Sequence, residues 1–393
     1  MYPTLYHAFL DLFGVNWSWA KMLNSFGFFV AIAFITASYT LSRELKRKQG
    51  LGQFQTSVKK MTIGGAPDWM EVFTNALIGF IVGWKILFLL LNSSRLFAHG
   101  SPQEHIFSKE GYPLIGILLA AAFGYWRYYE FKKQQLPTPE EKSITVYAYE
   151  HTGTITFIAA IFGIIGAKLF HLFENPKEFI EFFSHPDLQS FISGLTVFGG
   201  LIVAAIAVLI YAKRNNIHLL HLCDAATPGI ILAYGIGRIG CQVSGDGDWG
   251  INNTAPQPSW LSFLPDWVWA YDYPNNVNGV GVPLTDGVIF PGYGTHLPVP
   301  VFPTPLYETA MCIVLFGILW FLRKRIKTAG LITALYLMFN GIERFLIESI
   351  RVNNVGSYLG IKATQAQFIS VCFFLAGIAL FIFFSKKAKN QVA

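Results

Sequence analysis

The chain has 393 residues, 53% of them hydrophobic and only 13% charged, with a mean hydropathy of +0.44. A soluble domain carries about 25% charged residues, so this composition excludes an ordinary soluble fold and predicts an all-α polytopic membrane protein. In such a chain the net charge of +6 reports loop topology and gives no reason to invoke a nucleic-acid partner.

The opening residues, MYPTLYHAFLDLFG, lack a basic stretch and a small-residue cleavage site, so no removable signal peptide is expected. Apolar runs then recur at about 22–41, 71–92, 112–129, 153–173, 194–212, 222–242, 305–322, 330–350 and 365–384. Each is close to the roughly 20 residues a helix needs to cross a bilayer, which predicts nine spans. IVGWKILFLLLN (81–92) echoes IIGAKLFHLFEN (164–175) with Lys85 and Lys168 aligned, through a local duplication or through chance likeness of apolar helices.

Lys and Arg orient the spans. SRELKRKQ and VKK follow the first, FKKQQ and EEK the third, AKR ends the fifth, RKRIK the seventh and SKKAK the last. Alternating spans put all of these on one side, which is the cytoplasm. The N-terminus is then outside and the C-terminus inside. The longest opposite connection, 243–304, contains no Lys or Arg and is rich in Pro, Asn, Gly, Trp and Asp. It is too long for a simple connector and too polar for lipid, which predicts a small extracytoplasmic head of turns and short strands between the sixth and seventh helices.

The four cysteines, Cys223, Cys241, Cys312 and Cys372, lie in or beside apolar segments without CxxC spacing. They give neither a disulfide framework nor a zinc pattern. Charges inside the apolar runs are few, and those that stand out are Lys85, Lys168, Arg238, Glu343, Arg344 and Glu348. Each costs about 2.5–3.5 kcal/mol at a helix centre and asks for a partner. Arg238 ends the sixth run and is followed by SGDGDWG, which offers tight turns, Asp246 and Asp248. In GIERFLIESIR, Arg344, Glu348 and Arg351 share a helix face, while Glu343 points elsewhere. FPTPLYETA puts Tyr307 and Glu308 just inside the seventh span. A plain reading of each exists: an arginine reaching for the interface, a self-neutralising ion pair, an aromatic anchor. Together they place Arg, Glu, Asp and Tyr at one depth near the outer leaflet. Two arginines converging where headgroups lie suit a phosphate, because guanidinium meets phosphate oxygens bidentately.

These residues resemble a family. GRIGCQVSGDGDWG is similar to GRIGNFxNGExxG, the signature of the prolipoprotein diacylglyceryl transferases. GFFVAIAFITASYTLSREL resembles their first helix, GIIGAKLFHLFENPKEF a GARLxYVLF-like run, and GLTVFGGLI the GGMSFHGGLIG segment. FPTPLYE resembles HPxQLYE, GIERFLIESIRV the RFxxEFxR run, and IKATQAQFIS a segment with a GQ pair. The likeness spans most of a single membrane domain over 1–393, apart from about 50–150, which reads as an insertion holding two extra helices.

The resemblance implies a bacterial cytoplasmic (inner) membrane enzyme that uses no cofactor and no metal. It would transfer the diacylglyceryl group of phosphatidylglycerol to the lipobox cysteine thiol of prolipoproteins, forming a thioether. It implies Arg238 and Arg344 as phosphate-facing residues, Gly245, Asp246 and Gly250 in the signature turn, Glu348 as partner of Arg344, and Tyr307 and Glu308 on the outer wall. Asp248 and Arg351 fall beside them as substrate-binding residues. Asp246, nearer Arg238 along the chain, is expected to orient it. Several family positions differ: Phe198 replaces a His proposed as general base, Cys241 an Asn, Asn340 and Phe26 tyrosines. His171 and His296 are candidate replacements by depth. Two other readings remain: a non-catalytic protein that binds or moves anionic phospholipid with the same arginines, and a metal-dependent lipid enzyme using Asp246 and Asp248. Against the second, DGDWG lacks the acid a calcium loop carries at its twelfth position.

Overall fold

In lipid every backbone N–H and C=O must be satisfied within its own segment, so long apolar runs become helices. The computed structural model bears this out in a mostly helical chain. It describes residues 1–96, 105, 108–176, 178, 194, 196–353, 355–358 and 361–390. The principal helices are α1 (Leu5–Phe13), α2 (Ser25–Gly50), α3 (Trp69–Leu91), α4 (Pro113–Gln134), α5 (Thr152–Glu174), α6 (Val197–Arg214), α7 (Leu219–Ser244), α8 (Thr304–Leu322), α9 (Leu331–Glu348) and α10 (Gln365–Asn390). Six helical stretches among the described residues are long and apolar enough to cross a membrane: α2, α3, Ala148–Glu174 (which contains α5), α7, α8 and Gln365–Ala388 within α10. Outward apolar side chains such as Phe157, Ile206, Val314 and Phe383 are exposed, as those of lipid-facing helices are.

The chain forms two units. One comprises Thr4–Leu23 and Thr56–Val146. Its helices α3 and α4 pack as a pair. The chain enters and leaves this second stretch through two antiparallel strands, β1 (Ser57–Ile63) and β2 (Glu140–Val146), with Ser57 opposite Val146. Paired ends are what a segment added between two neighbouring points requires.

The other unit comprises Met1–Pro3, Asn24–Gln55 and Tyr147–Ala393. In it α7 packs against α2, α8 and α9, α9 against α10, and α5 against α6. Ile231, Cys312, Leu319 and Ile332 form the apolar core between α7, α8 and α9. Asp224, near the start of α7 and 1% exposed, accepts hydrogen bonds from Gly330 N (2.8 Å), Thr333 N (2.9 Å) and Thr333 Oγ1 (2.8 Å). A carboxylate at the unpaired N–H groups of a helix start is a strong cap. Here it also fixes register, because α7 and α9 set out together from one end. Fourteen residues lead from Asp224 to Arg238 and fourteen from Gly330 to Arg344, each about 21 Å of helical rise. The two arginines therefore reach the same level.

At that end, residues 245–303 carry short helical turns at Ser259–Leu261 and Asp266–Val268 and the strand pair β3 (Val282–Pro283) and β4 (Thr295–His296). Tyr273, Leu297 and Val301 form a small core against Met1, Trp249 and Tyr271. Tyr273 Oη donates to Gln242 Oε1 on α7 at 2.8 Å, and the N-terminal amine of Met1 donates to Pro274 O at 2.6 Å. Burial, and then the Asp272 carboxylate, push the Tyr271 phenol up to about 12, so that phenol stays neutral near pH 7.

Candidate active site

Arg238 lies in the last two turns of α7, Glu308 in the first turns of α8, and Arg344 and Glu348 in the last two turns of α9. Glu308, 0% exposed, is the centre. Its Oε1 accepts from Tyr234 Oη (2.8 Å) and Arg344 Nη1 (2.9 Å), and its Oε2 faces Arg238 Nε at 2.9 Å. Arg238 Nη2 donates to Tyr234 Oη at 3.2 Å, and its guanidinium lies over the Tyr234 ring at 5.0 Å. Arg344 Nη2 pairs with Glu348 Oε2 at 3.2 Å, and Glu348 Oε1 accepts from Asn353 Nδ2 at 2.5 Å. Thr309 Oγ1 donates to Gly235 O at 3.1 Å, which ties α8 to α7 directly beside Glu308.

The turn after α7 closes the site. Gly245, at φ 65°, ends the helix in the left-handed conformation, its N–H donating to Cys241 O at 3.0 Å. Asp248 then bridges two arginines, one carboxylate oxygen on Arg238 Nη1 and the other on Arg351 Nη2. Thr304 Oγ1, at the start of α8, holds the Asp248 carbonyl at 2.6 Å. Gly250 pairs with Arg351 across an antiparallel bridge and donates to Phe302 O at 2.8 Å. A Cβ there would meet Ile350 O at 2.6 Å, so only glycine lets the turn approach the end of α9. Burial, and then the charge of Arg238, lower the Arg351 guanidinium from its ordinary value.

The expected orienting contact is therefore reversed: Asp248, not Asp246, pairs with Arg238. Asp246 Oδ1 accepts from Asp248 N at 3.3 Å and shapes the turn instead. Gly247, at φ 95°, swings the chain between them. Glu308 sits at the middle of the cluster and not on a wall, while Tyr307 Oη donates away from it, to Val268 O at 2.8 Å. His171 pairs with Glu178 at 2.8 Å and His296 with Asp272 at 3.1 Å; neither ion pair is with a residue of the arginine cluster. Phe198 falls on a position whose side chain lies outside the described residues. Tyr234, Thr304 and Asn353 are the participants the sequence reading missed. Tyr234 was within reach of it, one helical turn before Arg238.

Chemically, three guanidinium groups are held by three carboxylates at the ends of three apolar helices. Glu308 Oε2 and Glu348 Oε2 are engaged as ion pairs with Arg238 and Arg344, whereas Arg351 Nη1 donates no hydrogen bond among the described residues, so donor capacity is left for an anionic ligand. Asp248 spans two arginines as two oxygens of a phosphate would. Cys241 Sγ and the Asp246 and Asp248 carboxylates present ligand atoms within 4.8 Å of one another. A cation bound there would have to displace Arg238 and Arg351 from Asp248.

Helices and site together define a multi-pass membrane protein with a cluster of three arginines and three carboxylates at the ends of α7, α8 and α9. The family model for "Prolipoprotein diacylglyceryl transferase" matches residues 110–383, beginning inside the stretch read as an insertion. Similar curated proteins include the phosphatidylglycerol–prolipoprotein diacylglyceryl transferases of Clostridium tetani (28% identical over 237 residues, 60% of this chain and 81% of the relative) and Bordetella avium (28% over 250 residues, 62% and 81%). That of Corynebacterium diphtheriae is 30% identical over 228 residues, 57% of this chain and 74% of the relative. The chain belongs to the prolipoprotein diacylglyceryl transferase family.

Proposed function

We propose that this protein is a phosphatidylglycerol–prolipoprotein diacylglyceryl transferase and that Arg238, Arg344 and Arg351 hold the lipid phosphate during transfer. The observation that carries the reading is the Glu308-centred cluster, with Arg238 and Arg344 brought to one level from two helices, in a chain of this family. The lipobox thiol sulfur attacks the glyceryl carbon. The carbon–oxygen bond to phosphate breaks, its electron pair stays on the phosphate oxygen as glycerol phosphate leaves, and the thiol proton is released. Negative charge grows on the departing phosphate, and prearranged guanidinium donors stabilise that charge in a dry site. Glu308, Asp248 and Glu348 hold the arginines in place before lipid arrives. Asp248, the least buried of the three at 27% side-chain exposure, gives way to the phosphate. Asp246, Gly245 and Gly250 set the turn, and Tyr307 braces the segment above.

Nine helices cross the bacterial inner membrane in this reading, α2 to α10. The N-terminus and the 245–303 head lie outside, and the basic connections and C-terminus lie in the cytoplasm. The site then opens at the outer leaflet, where lipobox cysteines of translocated prolipoproteins arrive. Residues 50–150 hold the two extra helices.

Reporter fusions at residues 135 and 325 should report cytoplasm and one at 270 the outside. A cytoplasmic signal at 270 would put the site at the wrong leaflet. The activity itself is tested by depleting a bacterium of its own transferase and supplying this gene. Restored growth and lipid-modified prolipoproteins are expected; accumulation of unmodified precursors despite membrane insertion of the protein would refute it.

A further inference from the structure

Glu343 is a carboxyl the site described above does not use. It lies on α9 directly before Arg344, is 0% exposed, and neither oxygen has a hydrogen-bond partner among the described residues. The other fully buried acids near the bundle axis are all held: Glu44 by Arg47 and Arg323, Asp224 by the start of α9, Glu308 and Glu348 by the arginines. On one side Glu343 borders an apolar crevice of about 360 Å³ between α8 and α9, lined by Ala310, Met311, Val314, Leu315, Phe339 and Ile342. On the other it faces the site. The charged and titratable groups that act on it, or on which it acts, are Tyr234 and Arg238 on α7, Glu308 and Cys312 on α8, and Tyr336 and Arg344 on α9.

An ionised carboxylate without hydrogen bonds in an apolar interior is so costly that the group keeps its proton instead. The nearest arginines offset this only in part, because Arg344 is engaged by Glu308 and Glu348, and Arg238 by Glu308 and Asp248. In the ion-paired cluster three guanidinium charges meet three carboxylates. A lipid phosphate adds one negative charge, and the balance it meets is set by whichever nearby acid stays neutral.

We propose that Glu343 is a positioning residue, kept neutral inside the bundle so that the arginines retain their hold on a lipid phosphate, and that its ionisation weakens that hold. The inference rests on the phosphate-binding part of the proposed function, not on the transfer step. The sign follows directly. Raising the pH removes the Glu343 proton, adds a negative charge beside Glu308, and weakens phosphate binding.

Binding of short-chain phosphatidylglycerol to the purified full chain, measured without any thiol peptide from about pH 6 to about pH 9, reads this without requiring turnover. Wild-type affinity should fall by about tenfold at the alkaline end, the scale of one charge acting through a partly dry interior. Glu343→Gln should match wild type at acidic pH and stay flat above it, whereas Glu343→Asp should keep the fall. In the infrared spectrum a protonated-carboxyl band should be present in wild type, shift in Glu343→Asp and vanish in Glu343→Gln. Parallel pH profiles for wild type and Glu343→Gln, or no band that moves with residue 343, would overturn the proposal. Should Glu343→Gln fail to fold, the Glu343→Asp band shift decides alone. Loss of binding in wild type at every pH would instead sink the phosphate reading beneath it.

Discussion

Arg238→Lys should lower kcat/KM for diacylglyceryl transfer by about a hundredfold, the scale of losing a donor that stabilises growing charge. Charge is kept in this variant, so the loss isolates geometry. Arg238 uses three different nitrogens at once: Nε toward Glu308, Nη1 on Asp248 and Nη2 on Tyr234. A lysine has a single ammonium on a flexible stem and cannot present a planar fork to a carboxylate or a phosphate. Arg344→Lys should behave alike, since Nη1 and Nη2 serve Glu308 and Glu348 separately. Transfer rates of purified variants at equal folded amounts check both. Near-normal turnover in the two would mean that no bidentate phosphate contact is made.

The second large effect concerns the acids of the turn. Asp248→Asn should lower kcat/KM by about tenfold or more, the worth of at least one charge-assisted contact. Asp246→Asn should cost less than about threefold, because the amide oxygen still accepts from the Asp248 N–H and only the charge is lost. The reason is the bridge from Asp248 to both Arg238 and Arg351, which Asp246 does not make. Without it the two guanidinium groups repel each other and drift from the phosphate position. A silent Asp248→Asn beside an inactive Asp246→Asn would return the orienting role to the residue the sequence pointed to.

That reversal shows where sequence reading stops. The intrahelical pair Arg344–Glu348 was legible because i,i+4 spacing is local. So was Arg238 as a cation needing partners, since the cost of charge in an apolar helix is known from composition alone. The partners themselves were not legible. Glu308 meets Arg238 and Arg344 only because Asp224 caps α9 and sets the α7–α9 register, a contact between residues 106 positions apart. Nor could proximity along the chain choose between Asp246 and Asp248. Gly245 in the left-handed region and Gly247 at φ 95° turn the backbone twice in three residues, so the nearer carboxylate meets the Asp248 N–H and the farther one reaches Arg238. Arg351 looked like the tail of a helical face. It lies past the end of α9 and reaches Asp248 through the bridge between its backbone and Gly250. Tyr234 is different: the spacing rule that paired 344 with 348 applies equally to 234 and 238, and the contact is there. That the chain is mostly helical, with several helices of membrane-spanning length, was legible because a bilayer forces apolar runs of that length into helices. The β1–β2 strands framing α3 and α4 were not, because Ser57–Ile63 and Glu140–Val146 pair across more than seventy residues.

The central claim is that this chain moves a diacylglyceryl group from a lipid phosphate to a thiol. The direct measurement uses the purified full-length protein, vesicles of phosphatidylglycerol labelled in the glyceryl moiety that is transferred, and a lipobox peptide with its cysteine. The predicted result is label on the peptide through a thioether stable to hydroxylamine, with one glycerol phosphate released per peptide modified. Folded protein that binds phosphatidylglycerol but leaves the thiol free and releases no glycerol phosphate would contradict it.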